Sequence, residues 1–454
     1  MPGAGPGASG RRRPVAPPVD PRAEANPPVS RRATGLLGRV VNVRPDEVSA
    51  LGAAFVFNFL LFTAYYILRP LRDSMGITGG VRSLDNLFWV TFVVMLAAMP
   101  VFGWLFGRYR RAVFLPVTYG FFTLNLLAFW VAFHALADDV WTARVFFVWV
   151  SVFNLFVVSV FWSFMADLFD REQAKRMFAF IAGGASTGAI GGSATTAFLA
   201  ATVGDVNLLL VSAVLLASTL VPMVYLLRHA ARRPRTGGAG PERPIGGNPV
   251  AGALLLARSP YLAGIALFVF LLVTVSTLLY LQQAELLSRY LPDGSERTAF
   301  LGRIDLVVNL LAVAMQLLAV GRLTSRFGVV VMLPSVPLMM TAGFALLAVE
   351  PALAMLVSVL VARRIGEYAV TRPCREMLFT TVDRETKYKA KNFIDTVVYR
   401  GGDAVSASVH EAAVRVFALG LSGVAWLGAA VAAVWVIVAV ALGRHHERAT
   451  APRA

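Results

Sequence analysis

The sequence predicts an all-α membrane protein of about twelve transmembrane helices, arranged as two six-helix halves. Three observations lead there. The 454 residues are 57% hydrophobic and only 15% charged, with a mean hydropathy of +0.66, a balance of polytopic membrane proteins rather than soluble domains. Apolar runs of about 20 residues, long enough to cross a hydrocarbon core, recur along most of the chain. Lys and Arg gather in short clusters between those runs, so the net charge of +16 reads as membrane topology and argues against nucleic acid as a partner. The single cysteine, Cys374, excludes an internal disulfide and a cysteine-based metal cluster.

In chain order, residues 1–45 hold Pro, Gly, Ala and Arg with almost no apolar pattern and read as a disordered cytoplasmic tail. Spans in the first half, 46–227, fall at 48–68, 84–106, 112–134, 143–168, 177–200 and 206–227. A break rich in Arg, Pro and Gly, 228–259, reads as a cytoplasmic linker. The second half, 260–443, gives 260–285, 299–323, 328–349, 352–372, 391–417 and 419–443, with a cytoplasmic tail at 444–454. Alternate connections carry the basic charge: Arg108, Arg110 and Arg111, then Arg171, Lys175 and Arg176, then the linker, then Arg322 and Arg326, then Arg375 to Lys391. The positive-inside rule places these connections and both termini in the cytoplasm, with Arg69, Arg72 and Arg82 as outer-side exceptions.

The halves echo each other. Asp170-Arg171-Glu172 recurs as Asp383-Arg384-Glu385, and Phe180-Ile181 as Phe393-Ile394 at the same offset. Gly103-Trp104-Leu105 before Arg108 has a counterpart in Gly321-Arg322-Leu323 before Arg326. Two echoes in the right order suggest parallel six-helix repeats, the plan of major-facilitator transporters.

Enzyme motifs are missing: there is no phosphate-binding Gly-x-x-x-x-Gly-Lys-Ser/Thr, no His-Glu-x-x-His and no Gly-x-Ser-x-Gly. The Gly-rich run Gly183–Gly192 favours close helix packing over a nucleotide cradle. Polar stripes carry more. Asn58, Tyr65, Arg69 and Arg72 share a face of the first span, with Asp73 beside Pro70. The arginines either snorkel to headgroups or form a basic mouth that draws in anions. The fourth span carries Ser151 and Asn154 and reaches Asp167; the eighth carries Asp305, Asn309 and Gln316. Densest is the eleventh, where Asp395, Tyr399, Asp403, Ser406 and His410 cover an arc of about 80° with Arg400 beside it. Such a stripe faces either a watery path or structural ion pairs with other helices.

Arg-Pro-Cys-Arg-Glu-Met from Arg372, Asp383 to Lys391, and Phe393 to Gly402 together resemble the ATP/ADP translocases of intracellular bacteria and plastids. Phe161-Trp162-Ser163-Phe164 with Ala174-Lys175-Arg176, and Leu71-Arg72-Asp73, are similar to further segments of that family. The resemblance covers most of the chain. It implies a major-facilitator-like inner-membrane carrier that exchanges nucleotides without hydrolysing them. This chain departs at three charges: Glu367 stands where the family has Lys, Arg372 where it has Asp, and Asp403 where it has Lys.

The expectation is therefore an alternating-access transporter, no enzyme, exchanging ATP/ADP or related anions. Candidate substrate-binding residues are Asn58, Tyr65, Arg69, Arg72, Asn154, Asp305, Asn309, Glu367, Arg372, Asp395, Tyr399, Arg400 and Asp403. Candidate gate residues are Asp73, Asp167, Asp170, Arg171, Glu172, Lys175, Arg176, Arg375, Glu376, Asp383, Arg384, Glu385 and Lys391. No catalytic, metal or cofactor site is expected; the partners are a small anionic substrate and the lipid bilayer, and the chain is expected to be a monomer. Two alternatives stand beside this: a major-facilitator carrier of a drug, sugar or organic anion, and a non-transporting membrane sensor.

Overall fold

Long apolar runs interrupted by capping residues give rods, and rods are what the computed structural model shows. It describes residues 43–136, 139–232 and 249–450, and of these only the backbone at 102, 106, 107, 171, 249–251, 319–325, 384, 385 and 388. The tail expected at 1–45 lies almost wholly outside the described residues, as do the middle of the 228–259 linker and the last four residues of the 444–454 tail.

In chain order the helices are α1 Val48–Thr78, α2 Leu84–Arg108, α3 Arg111–Ala135, α4 Val140–Leu168, α5 Arg171–Val203 and α6 Leu208–Arg232. After the linker come a short α7 Pro249–Arg258, then α8 Pro260–Tyr290, α9 Gly294–Met315 and α10 Gly321–Val349. They are followed by α11 Leu353–Gly366, α12 Arg372–Leu378, α13 Arg384–Phe393, α14 Tyr399–Arg415 and α15 Leu421–Thr450. Two pairs are single rods: a π segment, Glu367–Thr371, joins α11 to α12, and another, Ile394–Val398, joins α13 to α14. A third π segment, Gln316–Val320, runs from α9 into α10, and there the helix breaks at Gly328 (φ 69°), which keeps the two spans separate. Joined so, the rods make an all-α membrane protein of about twelve spans.

Among the described residues, nine spans are long and apolar enough to cross a membrane by composition alone. The other three rods are α5, diluted by small residues, and the two carrying the charged segments. They are the ones that composition undervalues.

Caps set the ends. Asp139 accepts hydrogen bonds from the Trp141 and Thr142 amides, and Asp170 forms a capping box with Gln173 at the start of α5. Asp293 and Asp383 cap α9 and α13 in the same way. The repeated Asp-Arg-Glu tripeptide is therefore a helix-start signal in both places.

The first span runs ten residues beyond its predicted end at 68. Pro70 sits inside α1, which continues because Leu71, Met75 and Ile77 beyond it are buried. As a result Arg69 and Arg72 lie within the bundle, at 21% and 19% side-chain exposure, rather than at an outer mouth.

Two seams fix the frame. Along α5, a Cβ at Gly184, Gly188 or Gly192 would run into the Phe55, Phe59 and Thr63 carbonyl oxygens of α1. The Gly-rich run is thus a close-packing surface, as its spacing predicts. In the later helices, a core of Phe268, Phe344, Trp435 and their neighbours binds α8, α10 and α15. Between the first six helices and the later ones, α9 lies against α5 and α14 against α2.

Candidate functional site

Four helices each turn an i, i+3 or i, i+4 face toward one chamber: Arg69 and Asp73 from α1, Ser276, Tyr280 and Gln283 from α8, Leu301, Ile304 and Asp305 from α9, Leu360, Arg363 and Arg364 from α11. Its volume is about 50 Å³, enough for one or two waters in this conformation. Both sets of six helices contribute walls.

Charge is dense around it. Arg364 Nη1 lies 2.5 Å from Asp305 Oδ1, and Arg69 Nη1 reaches the other oxygen at 3.8 Å. Arg72 pairs with Asp73 at 2.6 Å, and the Tyr280 hydroxyl donates to the same carboxylate at 3.3 Å. Arg363 donates to Ser276 Oγ at 2.6 Å and to Glu367 at 2.9 Å. Arg372 meets Glu367 at 3.2 Å, Thr277 donates to Asp403 at 3.0 Å, and Arg400 stands 3.5 Å from Asp403. Six guanidiniums thus face four carboxylates, an excess of two positive charges. Arg363 Nε and the Arg364 Nε and Nη2 groups are buried with no acceptor. A buried orphan donor costs about 1–3 kcal/mol, more when charged, so this chamber favours an incoming acceptor.

Aromatic rings border the basic groups. Phe62, Tyr65 and Tyr66 form a ladder with centroids 5.5–6.4 Å apart, and Arg69 lies over the Tyr66 ring at 5.7 Å. Arg372 covers Tyr368 at 4.6 Å, and Arg400 lies 5.9 Å from the Tyr399 centroid.

The candidate residues sort into groups. Arg69, Arg72, Asp73, Asp305, Glu367, Arg372, Arg400 and Asp403 belong to the chamber network, Asp73 among them although the sequence marked it as a gate. Tyr65 and Asn154 are half-buried. Asn58 is fully buried and donates to the Ile181 carbonyl in the α1–α5 seam. Asn309 bonds Ser193 and the Ala189 carbonyl across α9 and α5. Asp395 turns away to Arg375 at 3.2 Å: the π segment inserts a residue between it and Tyr399 and breaks the single stripe. Further along that stripe, Ser406 donates to Thr274 on α8, a helix–helix contact.

At the end of the bundle with the basic turns (the basic end), two ion pairs of candidate gate residues each lie within one set of six helices. Arg111 pairs with Asp167, and Lys391 meets both oxygens of Glu376 at 2.6–2.7 Å. Asp170 and Asp383 cap their own helices; Glu172 and Lys175 are exposed, and Arg176 is half-buried. Side chains of Arg171, Arg384 and Glu385 are outside the described residues.

The far end carries a further group of ties between the two sets. Arg297, 4% exposed, donates to the Ser74 hydroxyl and carbonyl and to Thr78 at 2.7–3.1 Å. Asp205, between α5 and α6, accepts from Ser295 and Thr298 of α9 at 3.3 Å. Trp89 donates to Ser408, and Arg415 to the Arg82 carbonyl.

Arg363, Arg364, Ser276, Tyr280, Gln283, Arg297 and Asp205 went unselected in the sequence. For Arg363 and Arg364 a signal existed: two arginines in an apolar span, one of them four residues before Glu367.

A twelve-span bundle enclosing a charged chamber between two sets of six helices is the architecture of a transporter. Residues 51–371 match the family model of the Major Facilitator Superfamily, and the chain belongs to that superfamily. Within it, the chain is 22% identical over 436 residues to ADP,ATP carrier protein 1 of Chlamydia trachomatis, covering 81% of this chain and 83% of that protein. Among solved structures, a bacterial homologue of the iron transporter ferroportin in an inward-facing state gives a TM-score of 0.61 at 12% identity, covering 88% of this chain and 98% of that one. The nucleoside transporter NupG gives 0.52 at 13%, covering 88% and 99%.

Proposed function

We propose that this major-facilitator protein is an alternating-access antiporter of the inner membrane that exchanges ATP, ADP or related anionic nucleotides and performs no covalent chemistry. The observation that carries the reading is the set of buried, acceptor-less N–H groups on Arg363 and Arg364 beside Arg69, in a chamber walled by both sets of helices. A phosphate or carboxylate supplies the missing acceptors, and guanidinium geometry suits either bidentately. The resemblance to ADP,ATP carriers supports the phosphate. Two of the three charge reversals are also milder than they look. Glu367 and Arg372 pair with each other, so exchanging their signs leaves the local net charge unchanged.

In this mechanism the anion enters from the basic end, competes with Asp305 for Arg69 and Arg364, and loosens the network joining α1 to α9 and α11. The far-end contacts then part while the basic end closes. The protein works as a monomer, with both termini in the cytoplasm.

Counter-exchange of labelled ATP and ADP in proteoliposomes tests this. Wild type should show saturable exchange, and Arg69→Ala should lose at least about tenfold, the size of one charge-assisted hydrogen bond. Equal flux in both would remove Arg69 from the site, and no nucleotide flux in wild type would remove the substrate. A smaller organic anion is the second reading, favoured by the chamber's volume of about 50 Å³. Labelled dicarboxylates and phosphate in the same vesicles separate the two.

A further inference from the structure

Away from the chamber, α2, α3 and α4 border an open groove of about 1160 Å³, walled almost wholly by apolar side chains. It exceeds the roughly 300–1,000 Å³ of pockets for compact small molecules. Its shape also differs from theirs. The lining extends from Trp141 and Asn86 near the far end to Leu105 and Tyr109 near the basic end, nearly the length of α2. At 1.5 Å per residue that is most of a membrane's thickness. The crevice lies where the first six helices bury least: 18% and 28% of the most apolar windows of the α2 and α3 spans, against 50% for α1 and α4.

Among the described residues, one charged side chain lines it. Arg144 sits about one turn inside the start of α4, at headgroup depth, beside the exposed Trp141, over whose ring its guanidinium lies at 5.0 Å. Its Nε donates to the Gly79 carbonyl at 2.9 Å, and among the described residues no carboxylate stands within ion-pair distance of it. The Nη groups therefore offer a free, planar pair of donors at the top of an apolar slot. Asp139, the nearest acid in sequence, accepts from Trp141 and Thr142 as the cap of α4.

From this charge complementarity and the slot's shape we infer that the α2–α3–α4 crevice is a binding site for a phospholipid, its phosphate on Arg144 and its acyl chains along the slot past Val148 and Phe121. A compact solute would leave most of the slot unfilled. A sterol or diacylglycerol would offer the Arg144 donors only neutral oxygens and leave its charge without a counter-ion.

The test is native mass spectrometry of the full-length, delipidated protein titrated with phosphatidylglycerol or with diacylglycerol of the same chains. The expected result is a one-to-one phosphatidylglycerol adduct, with diacylglycerol bound about tenfold more weakly, the size of a charge-assisted hydrogen bond. Arg144→Gln can still donate to Gly79 but has no charge; it should reduce phosphatidylglycerol affinity to the diacylglycerol level. Val148→Trp, which fills the slot while keeping Arg144, should weaken both lipids. Equal binding of the two lipids by wild type, or phosphatidylglycerol binding unchanged in both variants, overturns the proposal, as does a dimer that lipid leaves intact. Thermal unfolding of each variant without lipid shows that the fold survives; if Arg144→Gln does not fold, Arg144→Met, which also removes the charge at similar side-chain length, and Val148→Trp carry the same comparison.

Discussion

Helix α1 turns two unlike faces to its neighbours. Toward α5 it offers bare backbone: the Phe55, Phe59 and Thr63 carbonyls against Gly184, Gly188 and Gly192. Toward α8, α9 and α11 it offers Arg69, Arg72, Asp73, Ser74 and Thr78, held by ion pairs and hydrogen bonds. The first contact is dispersion at van der Waals distance, of which a gap of 1 Å forfeits up to about half. The second is made of bonds with a net worth of about 0.5–1.5 kcal/mol each, which water can replace one by one. One face is built to stay closed and the other to part.

The largest effect expected on the polar face comes from Arg364→Ala. Asp305 would keep only Arg69 at 3.8 Å, and breaking a buried pair costs about 3–5 kcal/mol. Folded yield and Tm should fall sharply, while Asp305→Ala combined with Arg364→Ala should recover much of the loss. If the single variant is as stable as wild type, the pair is not what secures α9 to α11. On the seam, Gly188→Leu forces a side chain into the Phe59 carbonyl and should cost about 1–3 kcal/mol or more. Under the proposed mechanism the seam stays closed throughout the cycle, so substrate should not restore it. Rescue by substrate would show that α1 and α5 part during transport, and the contrast between the two faces would fail.

Much of this was legible beforehand, for identifiable reasons. Apolar length and alternating basic turns fix the count and order of the spans, because both follow from local composition. The glycine run announced a seam, since small residues at four-residue spacing have one common use in a span. Asp305, Glu367 and Asp403 were visible because a charge in an apolar run is conspicuous. What the sequence could not show was pairing. Arg364 and Asp305 are separated by 59 residues, and Arg297 and Ser74 by 223, so their contact depends on which helices become neighbours. The Asp-Arg-Glu repeat has a local reading that pattern alone does not separate from a gate: its Asp caps a helix in both places. The π segment before Tyr399 was equally hidden, and it moved Asp395 off the stripe.

The far-end contacts give a finer test of the face that parts. Arg297→Ala removes the donors to Ser74 and Thr78 and should raise the open population at that end about fivefold to tenfold, roughly 1–1.4 kcal/mol. Spin labels at the exposed positions Thr202→Cys and Glu296→Cys, in a Cys374→Ala background, read this as growth of the longer of two distances. An unchanged distribution would mean that Arg297 fills space without holding the end shut.

Asp205 should make the same closure respond to pH, with the smallest effect. Burial raises its carboxyl above the usual range, and the bonds from Val206, Thr298 and Ser295 and the charge of Arg297 only partly offset that. Opening returns the group to water and to an ordinary carboxylate value near 4. The closed state therefore holds its proton more tightly than the open state. Protonation favours closure, an advantage complete below the ordinary value and lost as pH rises through the raised one. The open fraction seen by the Thr202 and Glu296 labels should grow as pH rises above the ordinary carboxylate value near 4. Asp205→Asn should hold it flat at the low-pH level, since the amide keeps the neutral shape of the protonated acid. Growth of the same size in Asp205→Asn would assign the response to another group; an opposite slope would mean that the ionised carboxylate, bonded to Ser295 and Thr298, is what draws the far end together.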